Sequence, residues 1–265
     1  MKNIPFYKAH GTGNDFIFII DDPVPELCSQ PEFISRICAR RTGIGADALI
    51  LLSPCSDYDF KMDYYNSDGS WETMCANASR CAAKIMYQEK RCGKSIKFLA
   101  GDGPHEMEIL HDGQVRLKMT PPVYKSKELI LKGHSGFHVD SGAPHFVCPA
   151  TELNEAFVAT EAPPIRYHEM FAPRGINVNF YSVNEPSHIQ VITYEKMIEK
   201  VMLSCGSGSV ASVFHAAKVN NLESPVTISA PGGDLSVEFD ENWQDVWLTG
   251  PAVILFQSQI NPTLF

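Results

Sequence analysis

The sequence predicts an α/β (α+β) protein of two pseudo-symmetric domains, and three observations carry that expectation. Landmarks recur at one offset: Cys75 and Cys205 lie 130 residues apart, as do Phe16 and Phe146, Ala100 and Ala230, Gly103 and Gly233, and Pro121 and Pro251. Each half combines short strand-like runs with a helix that begins at the repeated cysteine. The repeat is domain-sized and far too long for a solenoid, and 265 residues suffice to bury two such cores.

The elements follow in order. Phe16–Ile20 is an apolar, strand-sized run stopped by Asp21 and Asp22, and Pro31 to Arg41 has helical spacing with Cys38 and Ala39 among its apolar positions. Asp47 to Leu52 reads as a strand. Asp63-Tyr64-Tyr65-Asn66-Ser67-Asp68-Gly69-Ser70 is a strand end running into a turn, with Asn, Asp, Gly and Ser supplying the turn chemistry. From Cys75, the recurrence of Cys81, Ala82, Ile85 and Met86 predicts a helix ending near Gly93. Ile96–Ala100, His105–Leu110 and Val115–Met119 alternate between Gly/Asp turns as an antiparallel meander, and Pro121-Pro122 closes the first half. The pattern restarts at Val123. Val178–Val183 and Ile189–Tyr194 are strands, and Cys205-Gly206-Ser207-Gly208-Ser209 opens a helix through Val210, Val213, Phe214 and Ala217. The expected domains are therefore 1–122 and 123–252.

Composition narrows the function. The formal charge of −9, with scattered basic residues, lacks the positive surface that dominates nucleic-acid binding. No run approaches membrane-spanning length and no secretory leader opens the chain, so the expected location is the cytoplasm, where its eight cysteines stay reduced. None of them forms a Cys-x-x-Cys pair, so no metal site is expected.

Cys75 and Cys205 are different because of where they sit. A helix N-terminus presents unpaired N–H groups and partial positive charge, which favour thiolate over thiol and also hold carboxylates. Small neighbours, Ala76 and Ala78 in one half and Gly206 and Gly208 in the other, let a ligand approach the backbone. Two such thiols on opposite faces of one α-carbon can invert it: one removes the proton while the other supplies a new one.

In these motifs the chain resembles the diaminopimelate epimerase family, from His10-Gly11-Thr12-Gly13-Asn14-Asp15-Phe16 to Pro251. The first thiol motif is Asn66-Ser67-Asp68-Gly69-Ser70 through Met74-Cys75-Ala76-Asn77-Ala78-Ser79-Arg80-Cys81, with alanine in place of both family glycines beside Asn77. The second is intact as Ser204-Cys205-Gly206-Ser207-Gly208. The resemblance implies curled, mostly antiparallel sheets around a central helix, with 253–265 returning to the first domain. It implies catalytic Cys75 and Cys205, and substrate contacts from Asn14, Asn66, Ala76, Asn77, Asn177, Gly206 and Ser207, with Glu195 on the ammonium group. His145 matches a family histidine near the site and is a second-tier candidate. No cofactor or metal is implied; the partner is a small amino acid, and a homodimer is allowed. Taken alone, each asparagine is equally a turn former or cap.

The distal end of the substrate site departs from the family. Its Glu-Arg-Gly is Glu195-Lys196-Met197 here, keeping the charge but losing the bidentate fork, and Ala143 stands for an asparagine before Pro144-His145. The expected reaction is inversion of LL- to meso-diaminopimelate. The alternatives are a racemase of another amino acid such as histidine, a phenazine-biosynthesis-type isomerase, and an inert amino-acid-binding protein.

Overall fold

The computed structural model describes residues 2–20 and 23–265. Asp21 and Asp22, the expected stop of the first apolar run, lie outside the described residues. The chain divides into two compact units, one of the residues up to Leu117 with Gly250–Phe265, the other of Lys118–Thr249.

In the first unit, β1 (Ile4–Gly11) and β2 (Asn14–Ile20) form a hairpin whose turn residues, Thr12 (φ 48°) and Gly13 (φ 83°), are both left-handed. That turn matches the twist of the flanking strands and sets Asn14 at the very start of β2. Helix α1 (Pro31–Cys38) buries Phe33, Ile34, Ile37 and Cys38. It stops before the expected Arg41, because Ala39 is extended and Gly43 folds back onto the helix end, where a Cβ would lie 2.2 Å from the Arg36 carbonyl oxygen. Strand β3 (Ala48–Ser53) runs parallel to β2 and is buried from Ala48 to Leu52, which explains its unbroken apolar sequence. Antiparallel β4 (Phe60–Asn66) and the short β5 (Trp71–Glu72) lead to α2 (Ala76–Gln88). The meander is β6 (Ser95–Ala100), β7 (Gly103–Ile109) and β8 (Val115–Lys118).

Helix α2 ends at Gln88, earlier than the expected Gly93. Lys90 takes φ 58°, and the Lys90 and Arg91 N–H groups bond back to the Tyr87 and Met86 carbonyls. A left-handed residue thus closes the helix without glycine. The helix is buried almost all round, including Ala78, Ser79, Arg80, Cys81, Ala82, Ala83, Ile85 and Met86. It packs on β1, β2 and β7, and a helix with so little solvent face must be enclosed by its sheet.

The second unit repeats the plan: β9 (Val123–Tyr124), β10 (Leu129–Leu131), β11 (His134–Asp140), β12 (Pro144–Pro149), α3 (Glu155–Arg166), β13 (Asn177–Glu185), β14 (His188–Glu195), β15 (Lys200–Met202), α4 (Gly206–Asn220), β16 (Val226–Ala230), β17 (Gly233–Phe239) and β18 (Val246–Gly250). Strands β12 and β13 are parallel like β2 and β3, and β14 and β16 are parallel like β4 and β6; the other pairings are antiparallel. Helix α4 occupies the place of α2 and is buried from Gly208 to Ala217, against β11, β12, β13, β14 and β17. The last strand, β19 (Val253–Ile260), lies antiparallel to β1, from Ile4 opposite Ile260 to His10 opposite Val253. Among the described residues no helix is long and apolar enough to cross a membrane.

Candidate active site

The two cysteines occupy matching positions. Cys75 is the N-cap of α2 with φ −135° and ψ 120°; Cys205 is the N-cap of α4 with φ −132° and ψ 113°. In both, the serine four residues on returns its N–H and hydroxyl to the cysteine carbonyl: Ser79 at 2.9 and 3.0 Å, Ser209 at 2.9 and 2.9 Å. The bonds go to the cysteine carbonyls, and each thiol stands at the first turn of its helix, whose N–H groups have no intrahelical partner.

Around Cys75, the strand ends deliver asparagines. Its Sγ lies 3.8 Å from Asn14 Oδ1, which also accepts from Asn77 Nδ2 at 3.3 Å. Asn14 Nδ2 donates to Asp47 Oδ2 at 2.6 Å, and Arg40 holds the other Asp47 oxygen at 2.6 Å. The carboxylate fixes which way the Asn14 amide faces, so its oxygen points to the thiol. Arg40 also pairs with Asp15, as does Lys8 at 2.5 Å. Burial pushes the Asp15 carboxyl up, but the hydrogen bonds and charges of Arg40 and Lys8 outweigh it and hold the pKa at about 2. Asn66, opposite Ala48 at the end of β4, spends its amide within its own turn, Nδ2 donating to Ser70 Oγ at 3.0 Å. Its half-buried side chain is thus placed as a turn former, one residue along the β3 register from Asp47.

Around Cys205, side chains form a continuous chain. Cys205 Sγ lies 3.7 Å from Ser207 Oγ, which lies 3.0 Å from His145 Nε2; His145 Nδ1 lies 2.7 Å from Asn179 Oδ1, and Asn179 Nδ2 donates to Thr193 Oγ1 at 2.7 Å. The Asn179 orientation sets the direction. Its oxygen accepts from His145 Nδ1–H, so Nε2 accepts from the Ser207 hydroxyl, whose oxygen accepts from the Cys205 thiol. Gly208 makes this possible, since a Cβ there would stand 2.3 Å from Asn179 Nδ2.

His145 is fully buried, and burial chiefly lowers its pKa from 6.5 to about 4, against the opposing Asn179 hydrogen bond and Asp140 charge. On acidification the unfolded chain is protonated first, so the stabilising contribution is complete above about pH 6.5 and is lost as pH falls toward 4. Urea unfolding followed from about pH 7 to about pH 4.5 should reveal this loss, and His145→Asn should flatten the slope. An unchanged slope in the variant would contradict a neutral, buried imidazole.

Asn177 starts β13 beside His145 on β12 and is buried; its Oδ1 accepts from the Lys196 N–H at 2.9 Å. Glu195 ends β14 and, like Lys196, is half-buried. Met197 adopts φ 70° where the family carries glycine, a conformation that costs a side-chain-bearing residue about 1 kcal/mol. The turn is held from outside the expected set: Glu199 Oε1 accepts from the Met197 N–H at 2.9 Å and from Arg166 Nη2 at 2.7 Å. Ala76, Asn77 and Gly206 are buried in the first turns of their helices, and Ser207 is half-buried. Sequence reasoning missed Asp47, Asn179, Thr193 and Arg80. The 130-residue offset pairs Asp47 with Asn177 and so could have drawn attention to it. Among the described residues no group of three or more His, Cys, Asp or Glu could hold a metal ion.

Comparison with known proteins bears on the family and the fold. The family model described as diaminopimelate epimerase matches residues 6–125 and 137–255. The chain is 35% identical to the diaminopimelate epimerase of Aquifex aeolicus, with 97% of each chain covered. It is also 35% identical to that of Chlorobaculum tepidum, over 94% of this chain and 98% of the relative. Among solved structures, a PhzF-family phenazine biosynthesis protein from Bacillus anthracis matches with TM-score 0.72 at 13% identity, covering 98% of this chain and 99% of that one. A hydroxyproline epimerase from Agrobacterium vitis matches with TM-score 0.73 at 13% identity, covering 97% and 92%. At such identities the structural matches establish the fold, of two pseudo-symmetric domains. The sequence matches reach further: this chain belongs to the diaminopimelate epimerase family.

Proposed function

We propose that this isomerase inverts an α-carbon of diaminopimelate, LL to meso, with Cys75 and Cys205 as its acid/base pair and no cofactor. The observation that carries the reading is the matched pair of cap cysteines, with nearly equal backbone angles, in a chain of this family. One thiolate takes the α-proton; the C–H electron pair moves into the α-carboxylate as an enediolate; the other thiol protonates the opposite face. The first-turn N–H groups at Ala76 and Asn77 and at Gly206 and Ser207 would hold the carboxylate and stabilise its developing charge. Asn14, Asn66 and Asn177 would orient the substrate, and Glu195 would take the ammonium group. On this reading the enzyme serves lysine biosynthesis in the cytoplasm. A histidine racemase and an inert binding protein are not favoured, because the relatives are named diaminopimelate epimerase.

Lys196 is the cation we assign to the distal carboxylate. Lys196→Ala should raise KM for diaminopimelate about tenfold or more with a smaller change in kcat, and Lys196→Arg should restore binding. Steady-state kinetics on diaminopimelate and histidine test this. Robust histidine turnover with none on diaminopimelate would overturn the substrate while leaving the two-thiol chemistry in place.

A further inference from the structure

Two asparagine amides beside Cys75 are held between a group that can only donate and a group that can only accept. Arg80, fully buried one turn along α2, donates from Nη2 to Asn77 Oδ1 at 2.8 Å; Asn77 Nδ2 donates to Asn14 Oδ1 at 3.3 Å; Asn14 Nδ2 donates to Asp47 Oδ2 at 2.6 Å. A guanidinium has no acceptor and a carboxylate has no donor, so neither amide can turn over without placing donor against donor or acceptor against acceptor. The two ends impose the direction, and Asn14 Oδ1 is the atom that faces the Cys75 sulfur, 3.8 Å away. That oxygen can accept from a thiol S–H and has nothing to give a thiolate, and a hydrogen bond to the neutral form of an acid disfavours its ionisation. The second half has no copy of the arrangement. At the 130-residue offset Pro144 stands for Asn14, Asn177 for Asp47 and Val210 for Arg80, and Cys205 faces the Ser207 hydroxyl, whose hydrogen can rotate toward a thiolate.

We infer that Asp47 is a positioning residue for Cys75: by pinning Asn14 it keeps an acceptor on the sulfur and holds Cys75 as the thiol in the substrate-free enzyme. This rests on the two-thiol reading above and adds the protonation state in which one member of the pair waits. Asp47 acts through Asn14, while Arg40 holds its other oxygen at 2.6 Å.

The other charged and titratable groups on the elements packed against α2 are engaged elsewhere. On β1, Lys8 pairs with Asp15, Tyr7 bonds to Glu89, and His10 Nδ1 accepts from the Gly13 N–H. On β2, Asp15 also pairs with Arg40. On β7, His105 pairs with Asp102, Glu106 with Lys97 and Glu108 with Arg116, and β19 carries no charged residue. On α2, Lys84 donates to the Ala252 carbonyl, and burial pushes the Cys81 thiol up to about 12. Glu72 lies on β5, ahead of the cap. The charge of Arg80 favours the thiolate, but its N–H groups go to Asn77, Thr12 and the Ala76 and Pro251 carbonyls, whereas Asn14 meets the sulfur directly.

The test is the pH dependence of iodoacetamide modification at the Cys75 peptide, read by mass spectrometry on substrate-free enzyme. In Asp47→Asn the donor-only Arg40 keeps the new carbonyl oxygen, which leaves an NH2 group facing Asn14, so the Asn14 amide turns and offers its own NH2 to the sulfur. The Cys75 midpoint should then fall by about one unit or more. Arg40→Gln removes a charge from the same cluster but leaves the bond between Asp47 and Asn14, so its midpoint should stay near wild type. An Asp47→Asn profile that matches wild type, in protein of native circular dichroism, overturns the assignment. So does an Arg40→Gln midpoint that rises by as much as that of Asp47→Asn falls, because the field of the cluster and not the amide would then set it. A measurement that needs neither variant is the infrared difference between wild type and Cys75→Ser at about pH 7, where the Cys75 thiol should show an S–H stretch lowered by its hydrogen bond. The absence of that band would mean a resting thiolate and would overturn the assignment as well. The predicted midpoints and S–H band in an enzyme that never exchanges an α-proton would sustain the role of Asp47 while defeating the functional reading.

Discussion

Cys75→Ser and Cys205→Ser will each lower kcat for inversion by about 10³-fold or more, because a serine hydroxyl cannot ionise usefully near neutral pH at either cap. The side chains described beside the two thiols are poor substitutes for them. Beside Cys75 stand the amides of Asn14 and Asn77, which do not titrate. Beyond Cys205 stands Ser207 and then His145, an imidazole that burial holds neutral. The double replacement should cost little more than either single one, since residues acting as a unit are not additive. Steady-state assays of all three variants check this, and a single variant with near-normal kcat would remove that thiol from the mechanism.

Gly208→Ala will cost about 1–3 kcal/mol of stability and lower kcat about 10²-fold, although it adds only a methyl group. The new Cβ would stand 2.3 Å from Asn179 Nδ2, displacing the amide that orients His145 and, through it, Ser207 and Cys205. The first half provides the control. Ala78 occupies the matching position on α2, fully buried, because the residue matching Asn179 there is Leu49 and no polar chain has to pass. Urea denaturation and kinetics on Gly208→Ala test both parts; wild-type stability and rate would mean that the close approach is dispensable.

The parts of the fold legible in the sequence were those governed by local pattern. The helices starting at Cys75 and Cys205 announced themselves through small residues followed by apolar spacing, and β3 through an unbroken buried run. Helix α3 was hidden because Pro163 and Pro164, which sit in its last turn, read as a break. Strand β1 was hidden because pairing on both sides, with β2 and β19, buries consecutive residues from Phe6 to Ala9 and removes the alternation. The thiols stood out by their repeated position, whereas Asn14 and His145 entered only through the family resemblance, and which amide faces which sulfur depends on contacts between distant residues such as Asn14 and Asp47. Arg80 was legible as part of the first thiol motif, but its burial was not, for the same reason. An arginine among alanines reads as a solvent-facing helix residue, and only tertiary packing reveals that it is enclosed. The left-handed backbone of Met197 likewise follows from its turn and not from its residue type.

The central claim, that two different thiols exchange the α-proton, is tested most directly by running LL-diaminopimelate in deuterated water and examining the first few per cent of reaction. The account predicts meso product carrying one solvent deuterium at the inverted α-carbon, while recovered LL substrate stays essentially unlabelled, since the base that removes the proton is not the acid that replaces it. Product that retains the original proton would indicate a single base acting on both faces and would contradict the account.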